Sequence, residues 1–378
     1  MILGIDAFNL SRGGGITHLV ELLRAADPHR YGFEKVILWG GGATLSRVDE
    51  RPWLEKVREP LLDRGLPFRV FWHRVLERRR ARMARCDIVF LPGGTASSGF
   101  SPVVTMSRNM LPFEWRELFR YGWSWITLKL IVLRWAQTAS FRKADGLIFL
   151  TEYARKVVGE VARLHGGKAI TIPHGISPRF FHPPRKKYKD VFSTDNPCRL
   201  LYVSIISPYK HQWHVVEAVA KLRAEGLPVV LELIGPSDAG IERLQKTIRI
   251  VDPGHDFIFC RGAIPYESLE KHYAAADIGL FASSCENMPN ILLEGMAASL
   301  PMACSNMGPM PEILGDAGEY FNPLDPEDIA RALRRLIESR DLRFHHARAA
   351  FERSKRYSWE RCSDDTFAYL SAVAGKKR

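Results

Sequence analysis

The chain predicts an α/β protein built from two doubly wound, parallel-sheet domains. Three observations lead there: short, continuously apolar runs closed by glycine, proline or polar turns; helical patterns between successive runs; and a second cycle of the same alternation starting near residue 199. The first cycle places strands at 2–6, 35–39, 68–72, 88–91, 103–106, 146–150 and 169–172. The second places them at 199–203, 229–234, 257–260, 278–282, 302–303 and 318–321. Between the cycles, His182-Pro183-Pro184-Arg185-Lys186-Lys187 has the composition of a linker. The stretch 341–374 reads as helices interrupted at Tyr357-Ser358-Trp359-Glu360. The expected division is a first domain at 1–181, a linker at 182–198, a second domain at 199–356 and a terminal helix at 357–378.

A hydrophobic content of 46% with 25% charged residues marks a globular chain rather than a disordered one. Six scattered cysteines, without a Cys-x-x-Cys, point to a reducing compartment and away from structural zinc. Met1-Ile2-Leu3-Gly4-Ile5-Asp6 reads as a strand, so no signal peptide is expected. No run of about 18 apolar residues offers a bilayer span, and a cytoplasmic protein is expected. The net charge of +12 is unevenly spread. Residues 1–189 hold 32 Lys+Arg against 16 Asp+Glu, while residues 190–378 hold 22 against 26. The basic half should favour a polyanion: an anionic membrane, a phosphorylated lipid or nucleic acid. For nucleic acid the charge stands alone, without a recognisable motif.

The chemistry concentrates at Cys285-Glu286-Asn287-Met288-Pro289-Asn290-Ile291-Leu292-Leu293-Glu294. This follows a strand and enters a helix, which puts Glu286 on the loop and Glu294 about one turn inside the helix. Between them the helix-start amides near Asn290, Ile291 and Leu292 form an anion site. A ligand with a polyol at each end and a diphosphate in the middle, such as a nucleotide sugar, suits that spacing. Small and apolar neighbours (Gly295, Met296, Ala297) imply that Glu294 is buried and needs a partner, a role two ligand hydroxyls would fill. Lys210 lies just past the 199–203 strand, where a cation neutralises a diphosphate leaving group; a solvated surface lysine is the alternative. Glu312 closes the same cleft or serves as a helix N-terminal charge. After the first strand, Gly13-Gly14-Gly15 lets the backbone approach a phosphate or sugar, or makes a plain tight turn.

Residues 113–143 carry Trp115, Trp123, Trp125 and Trp135 among basic residues, which suits a helix at a membrane interface or a core helix of the first domain. The run Arg78-Arg79-Arg80 adds a basic face nearby. There is no D-x-D, H-E-x-x-H, G-x-x-x-x-G-K-[ST] or G-x-S-x-G, so metal-dependent sugar transfer, zinc hydrolysis, P-loop and serine-hydrolase chemistry all lose ground.

Together the Gly13–Gly15 turn, Ile172-Pro173-His174-Gly175-Ile176, the Lys210 turn, Tyr273-Ala274-Ala275-Ala276-Asp277-Ile278, the Glu286…Glu294 pair and Ser358-Trp359 resemble the retaining GT-B glycosyltransferases of family 4, the group 1 glycosyltransferases. The resemblance spans nearly the whole chain. It implies two Rossmann-like domains facing a central cleft, with the acceptor bound by the first, the nucleotide sugar by the second, and a last helix crossing back to the first. It implies that Glu286 contacts the donor sugar, Glu294 the ribose, and Lys210 with the 290–292 amides the diphosphate. The glycine loop would face the donor phosphates, and neither metal nor other cofactor would be used. The sequence departs from the family twice. Ile205 stands where an arginine is usual, leaving Lys210, helix amides, Arg12 or Arg261 to supply charge. Ser107-Arg108-Asn109 replaces a His-Asp pair, making Arg108 and Asn109 candidates for sugar contact.

The expected function is transfer of a sugar from a nucleoside diphosphate, with a lean to GDP-mannose, to a lipid-linked saccharide in bacterial surface-polysaccharide synthesis. The expected place is the inner face of the membrane. The rivals are a binding or scaffold protein on a degenerate GT-B fold and a GT-B epimerase.

Overall fold

In this computed structural model all residues are described except 11–12, 96–98, 165–166, 187 and 377–378, and the side chain of residue 66. The chain forms two compact units. One comprises Met1–Leu118, Trp123–Gly175 and Tyr357–Arg378; the other comprises Phe119–Gly122 and Ile176–Arg356.

The first unit is a parallel sheet of seven described strands in the order β3-β2-β1-β4-β5-β6-β7. They are β1 (Ile2–Asp6), β2 (Lys35–Gly40), β3 (Leu54–Arg58), β4 (Ile88–Leu91), β5 (Val103–Met106), β6 (Gly146–Phe149) and β7 (Ala169–Thr171). β4, β5 and β6 are buried along their whole length, as apolar strands covered on both faces must be. β3 is an edge strand, and its Glu55, Lys56 and Arg58 hid it from a reading based on apolar runs. The expected strand at 68–72 is instead helical, Leu66–Phe71, running into a π turn at Trp72–Leu76 and on to Glu77–Met83. Phe68, Val70, Phe71 and Trp72 favour a strand locally, but Gly65 and Pro67 set a helix start.

The terminal helix Trp359–Gly375 belongs to the first unit. Ser358 caps it through the Arg361 amide, and Tyr369 accepts from the Leu147 amide while donating to the Lys168 carbonyl. Gly175 lies so close to its start that a Cβ would sit 2.2 Å from the Trp359 nitrogen.

The second unit is a parallel sheet in the order β10-β9-β8-β11-β12-β13. Its strands are β8 (Cys198–Val203), β9 (Val229–Ile234), β10 (Ile258–Gly262), β11 (Ile278–Phe281), β12 (Met302–Ser305) and β13 (Gly318–Phe321). The segment read as a linker packs on this unit, because the buried Asp277 carboxylate draws in Arg185, Lys189 and the Arg199 amide. Among the described residues, no helix is long and apolar enough to cross a membrane.

Candidate active site

Doubly wound sheets bind ligands beyond the carboxyl ends of the two strands where the winding reverses. In the second unit those strands are β8 and β11, and the loops leaving them carry Lys210 and Glu286. After β8 the chain makes a 3-10 turn at Pro208–Lys210, passes through a left-handed His211 (φ 52°) and starts the helix Gln212–Ala224. The Tyr202 hydroxyl donates to the Lys210 carbonyl at 2.7 Å, and the Ser284 amide donates to the Tyr209 carbonyl at 2.9 Å. The His211 imidazole bonds the Ser284 hydroxyl at 2.9 Å. Burial, then the nearby Arg120, pushes His211 down to about 3, so it stays neutral at physiological pH. These contacts fasten the two loops together.

Lys210 is 5% exposed and forms an ion pair with Glu286. Its ammonium also lies 5.0 Å from the centre of the Phe281 ring. Past Glu286, the helix Asn290–Ala297 begins, and its first amides, at Asn290, Ile291 and Leu292, have no acceptor within the helix. Cation, carboxylate and helix start thus share one edge of one sheet.

Glu294 is 3% exposed on that helix. Its carboxylate oxygens accept from the Tyr266 hydroxyl at 2.9 Å and the Tyr273 hydroxyl at 3.0 Å. Burial raises its pKa, while the two tyrosines and then Arg179 pull it back. Arg179 lies over the Tyr266 ring at 4.0 Å. The sequence reading assigned ligand hydroxyls as partners for this carboxylate; the fold itself supplies two tyrosines, and any ligand would add to them. Glu312 is exposed in the first turn of Met310–Leu314, after β12. The loop before it reaches the site at Gly308, where a Cβ would lie 3.9 Å from the Glu286 nitrogen.

In the first unit the winding reverses between β1 and β4. Gly13 has φ 68° and precedes the helix Gly14–Arg24, so glycine is required there on conformational grounds. A Cβ on Gly15 would lie 2.9 Å from the Leu10 side chain. Arg108 donates to the Gly14 carbonyl at 2.6 Å and the Gly15 carbonyl at 3.3 Å, and burial pushes its pKa down to about 10. It therefore fixes the glycine turn. Asn109 accepts the Leu111 amide at 3.1 Å, closing a local turn. Arg12 falls outside the described residues. Arg261 is tied to Glu232 at 2.9 Å, and Ile205 is 37% exposed.

Sequence reasoning missed Tyr266, Arg179 and Tyr121. Tyr121 bonds the Ser207 hydroxyl at 3.0 Å, and Ser207 donates to Asp238 at 3.1 Å, beside the Lys210 turn. Only the Tyr266/Tyr273 pair, seven residues apart ahead of β11, left a periodic trace in the sequence.

Comparison with known proteins agrees with this geometry. A family model for the group 1 glycosyl transferases matches residues 197–339. A GDP-mannose-dependent alpha-(1-6)-phosphatidylinositol dimannoside mannosyltransferase of Mycobacterium tuberculosis is 28% identical over 253 residues, 65% of this chain and 63% of that protein. The chain thus spans less than two thirds of that relative. The O-antigen chain mannosyltransferase B of Escherichia coli is 31% identical over 105 residues, 28% of each chain. Anabaena HepE, solved in complex with UDP, superposes with a TM-score of 0.69 at 16% identity, covering 98% of this chain and 99% of that one. WaaG, a glycosyltransferase involved in lipopolysaccharide biosynthesis, gives 0.70 at 14% identity, again over 98% and 99%. The family match lies within the second unit, and the fold of the chain is the GT-B fold of two Rossmann-like domains that these structures share.

Proposed function

We propose that the protein transfers a sugar, with retention of configuration, from a nucleoside diphosphate to a saccharide acceptor carried on a lipid. The observation that carries this reading is the buried Lys210–Glu286 pair at the amide end of Asn290–Ala297, with Glu294 one turn inside. Without ligand the two charges neutralise each other. A donor diphosphate takes up Lys210 and the free amides, and releases Glu286 to the hydroxyls of the sugar. Glu294, held by Tyr266 and Tyr273, presents its remaining lone pairs to the ribose. Lysine and helix amides supply the positive charge at the diphosphate, so donor binding needs no metal ion. No side chain has to act as a nucleophile if the leaving phosphate takes the acceptor's proton on the attacked face.

The mannosyltransferase relatives favour GDP-mannose as donor. A lipid-borne acceptor is favoured by the surface of the first unit. Helix Trp125–Lys143 buries Thr127, Leu130, Gln137, Ser140 and Phe141 but exposes Trp125, Leu128, Val132 and Trp135, with Trp123 just ahead of it 96% exposed. Trp125, Leu128, Val132 and Trp135 share one helical face, and Lys129, Arg142 and Lys143 complement an anionic membrane. The arginines at 78–80 are exposed as well. The reading is tested by donor turnover: wild type should cleave GDP-mannose in EDTA, and Glu286→Gln should bind the donor without cleaving it. A Glu286→Gln variant as active as wild type would remove the role given to this carboxylate.

A further inference from the structure

We propose that the first unit holds a structural divalent metal ion, of which Zn²⁺ fits best, at Asp6, His73 and Glu77. Asp6 ends β1, while His73 and Glu77 stand four residues apart on the neighbouring helical segment. Between them the backbone makes its π turn, closed by the Glu77 amide donating to the Trp72 carbonyl. Single π turns recur where a helix must aim particular side chains at a site. Here one ligand atom from each of the three residues lies within 4.8 Å of the others.

All three are buried, Asp6 and Glu77 at 0% exposure and His73 at 7%. A carboxylate buried like that of Asp6 needs positive charge or protons. Asp6 accepts from neutral donors, the Phe8 amide at 3.0 Å and the Trp72 indole at 3.3 Å. Among the described residues neither ring nitrogen of His73 finds a hydrogen-bond partner; Nδ1 lies 3.5 Å from the Asp6 carboxylate. Stacking on Phe8, with 4.1 Å between ring centres, fixes the imidazole with its polar edge toward the acids. Glu59 lies nearby, paired with Arg80 at 3.1 Å. Burial raises the pKa of nearby Glu59, Arg80 lowers it, and the Asp6 charge raises it again.

One imidazole nitrogen and two carboxylates form a donor set of intermediate softness, which suits Zn²⁺, with one carboxylate bidentate to complete four-coordination. The ion would tie the end of β1 to the helical segment. These ligands are separate from the donor residues of the second unit.

The test dialyses the full-length protein against EDTA, then titrates it with ZnCl₂ by calorimetry and follows Tm. One equivalent should bind, Tm should rise by several degrees, and His73→Ala and Glu77→Gln should each weaken binding by more than about tenfold. X-ray absorption of the zinc-loaded wild type, which depends on no variant, should show one imidazole with oxygen ligands and no sulfur. No stoichiometric binding, unchanged affinity in folded variants, or a sulfur or multi-histidine shell would overturn the proposal.

Discussion

The carboxyl edges of the two sheets solve different problems. The edge of the second unit keeps its charges buried and paired: Lys210 with Glu286, Glu294 with Tyr266 and Tyr273. The edge of the first unit carries the buried Asp6 at the end of β1 and a glycine turn whose carbonyls are held by Arg108, in a unit whose conspicuous surface features are exposed tryptophans and arginines. Preorganised buried charge suits a ligand of fixed chemistry, such as a nucleoside diphosphate. A basic and aromatic surface suits a partner defined by its interface rather than by a single shape. The proposed function places chemistry in one unit and recruitment in the other, and substitutions can separate the two.

The largest effect is expected at Glu286. Glu286→Gln should keep nucleotide affinity near wild type but lower the rate of transfer by about 10²–10³, the usual loss for a group placed against the reacting centre. A loss seen only in KM would recast Glu286 as a binding residue. Next comes the surface of the first unit. Changing Trp123, Trp125 and Trp135 together to serine should lower partitioning onto anionic vesicles by at least about tenfold, with donor affinity in solution unchanged. Equal vesicle binding would break the division between recruitment and chemistry.

Two smaller effects probe how each unit is held together. Gly175→Ala drives a Cβ against the Trp359 backbone and should cost about 1–3 kcal/mol, read as a drop in Tm of several degrees. The second concerns His18, buried, with neither ring nitrogen hydrogen-bonded among the described residues. Burial, then Arg108 and His174, holds its pKa well below the ordinary 6.5. Above that pH neither state carries the proton; below it the unfolded chain gains one that the folded chain refuses. Stability should therefore fall as pH drops below about 6.5, by up to about 1.4 kcal/mol per pH unit for each such histidine. His18→Leu should flatten the slope of unfolding free energy against pH by about one proton. An unchanged slope would show that His18 titrates normally.

What the sequence disclosed follows from how far apart the cooperating residues lie. Glu286, the 290–292 amides and Glu294 sit within one strand–loop–helix unit, so their spacing carries their geometry. Most strands were legible because strands buried on both faces are apolar throughout. β3 was not, since an edge strand tolerates Glu55 and Lys56, and 68–72 was misread because its apolar residues outweighed the helix-start signal at Gly65 and Pro67. Arg179 over Tyr266, Tyr121 on Ser207, and Arg108 on the glycine turn join distant segments, and no local pattern announces them. The helix Trp125–Lys143 was ambiguous for another reason. It buries Leu130 and Phe141 together with Thr127, Gln137 and Ser140 and turns Trp125 and Trp135 outward, so apolar residues lie on both sides of it.

The central claim is that the second unit carries a donor site whose diphosphate is held by Lys210 and helix amides alone. Calorimetric titration with GDP, UDP and ADP in EDTA, on wild type and Lys210→Ala, tests it most directly. The account predicts micromolar binding of one nucleotide, GDP by preference, weakened by about 100-fold or more in the variant. Binding that appears only when Mg²⁺ is added, or equal affinity in Lys210→Ala, would contradict it.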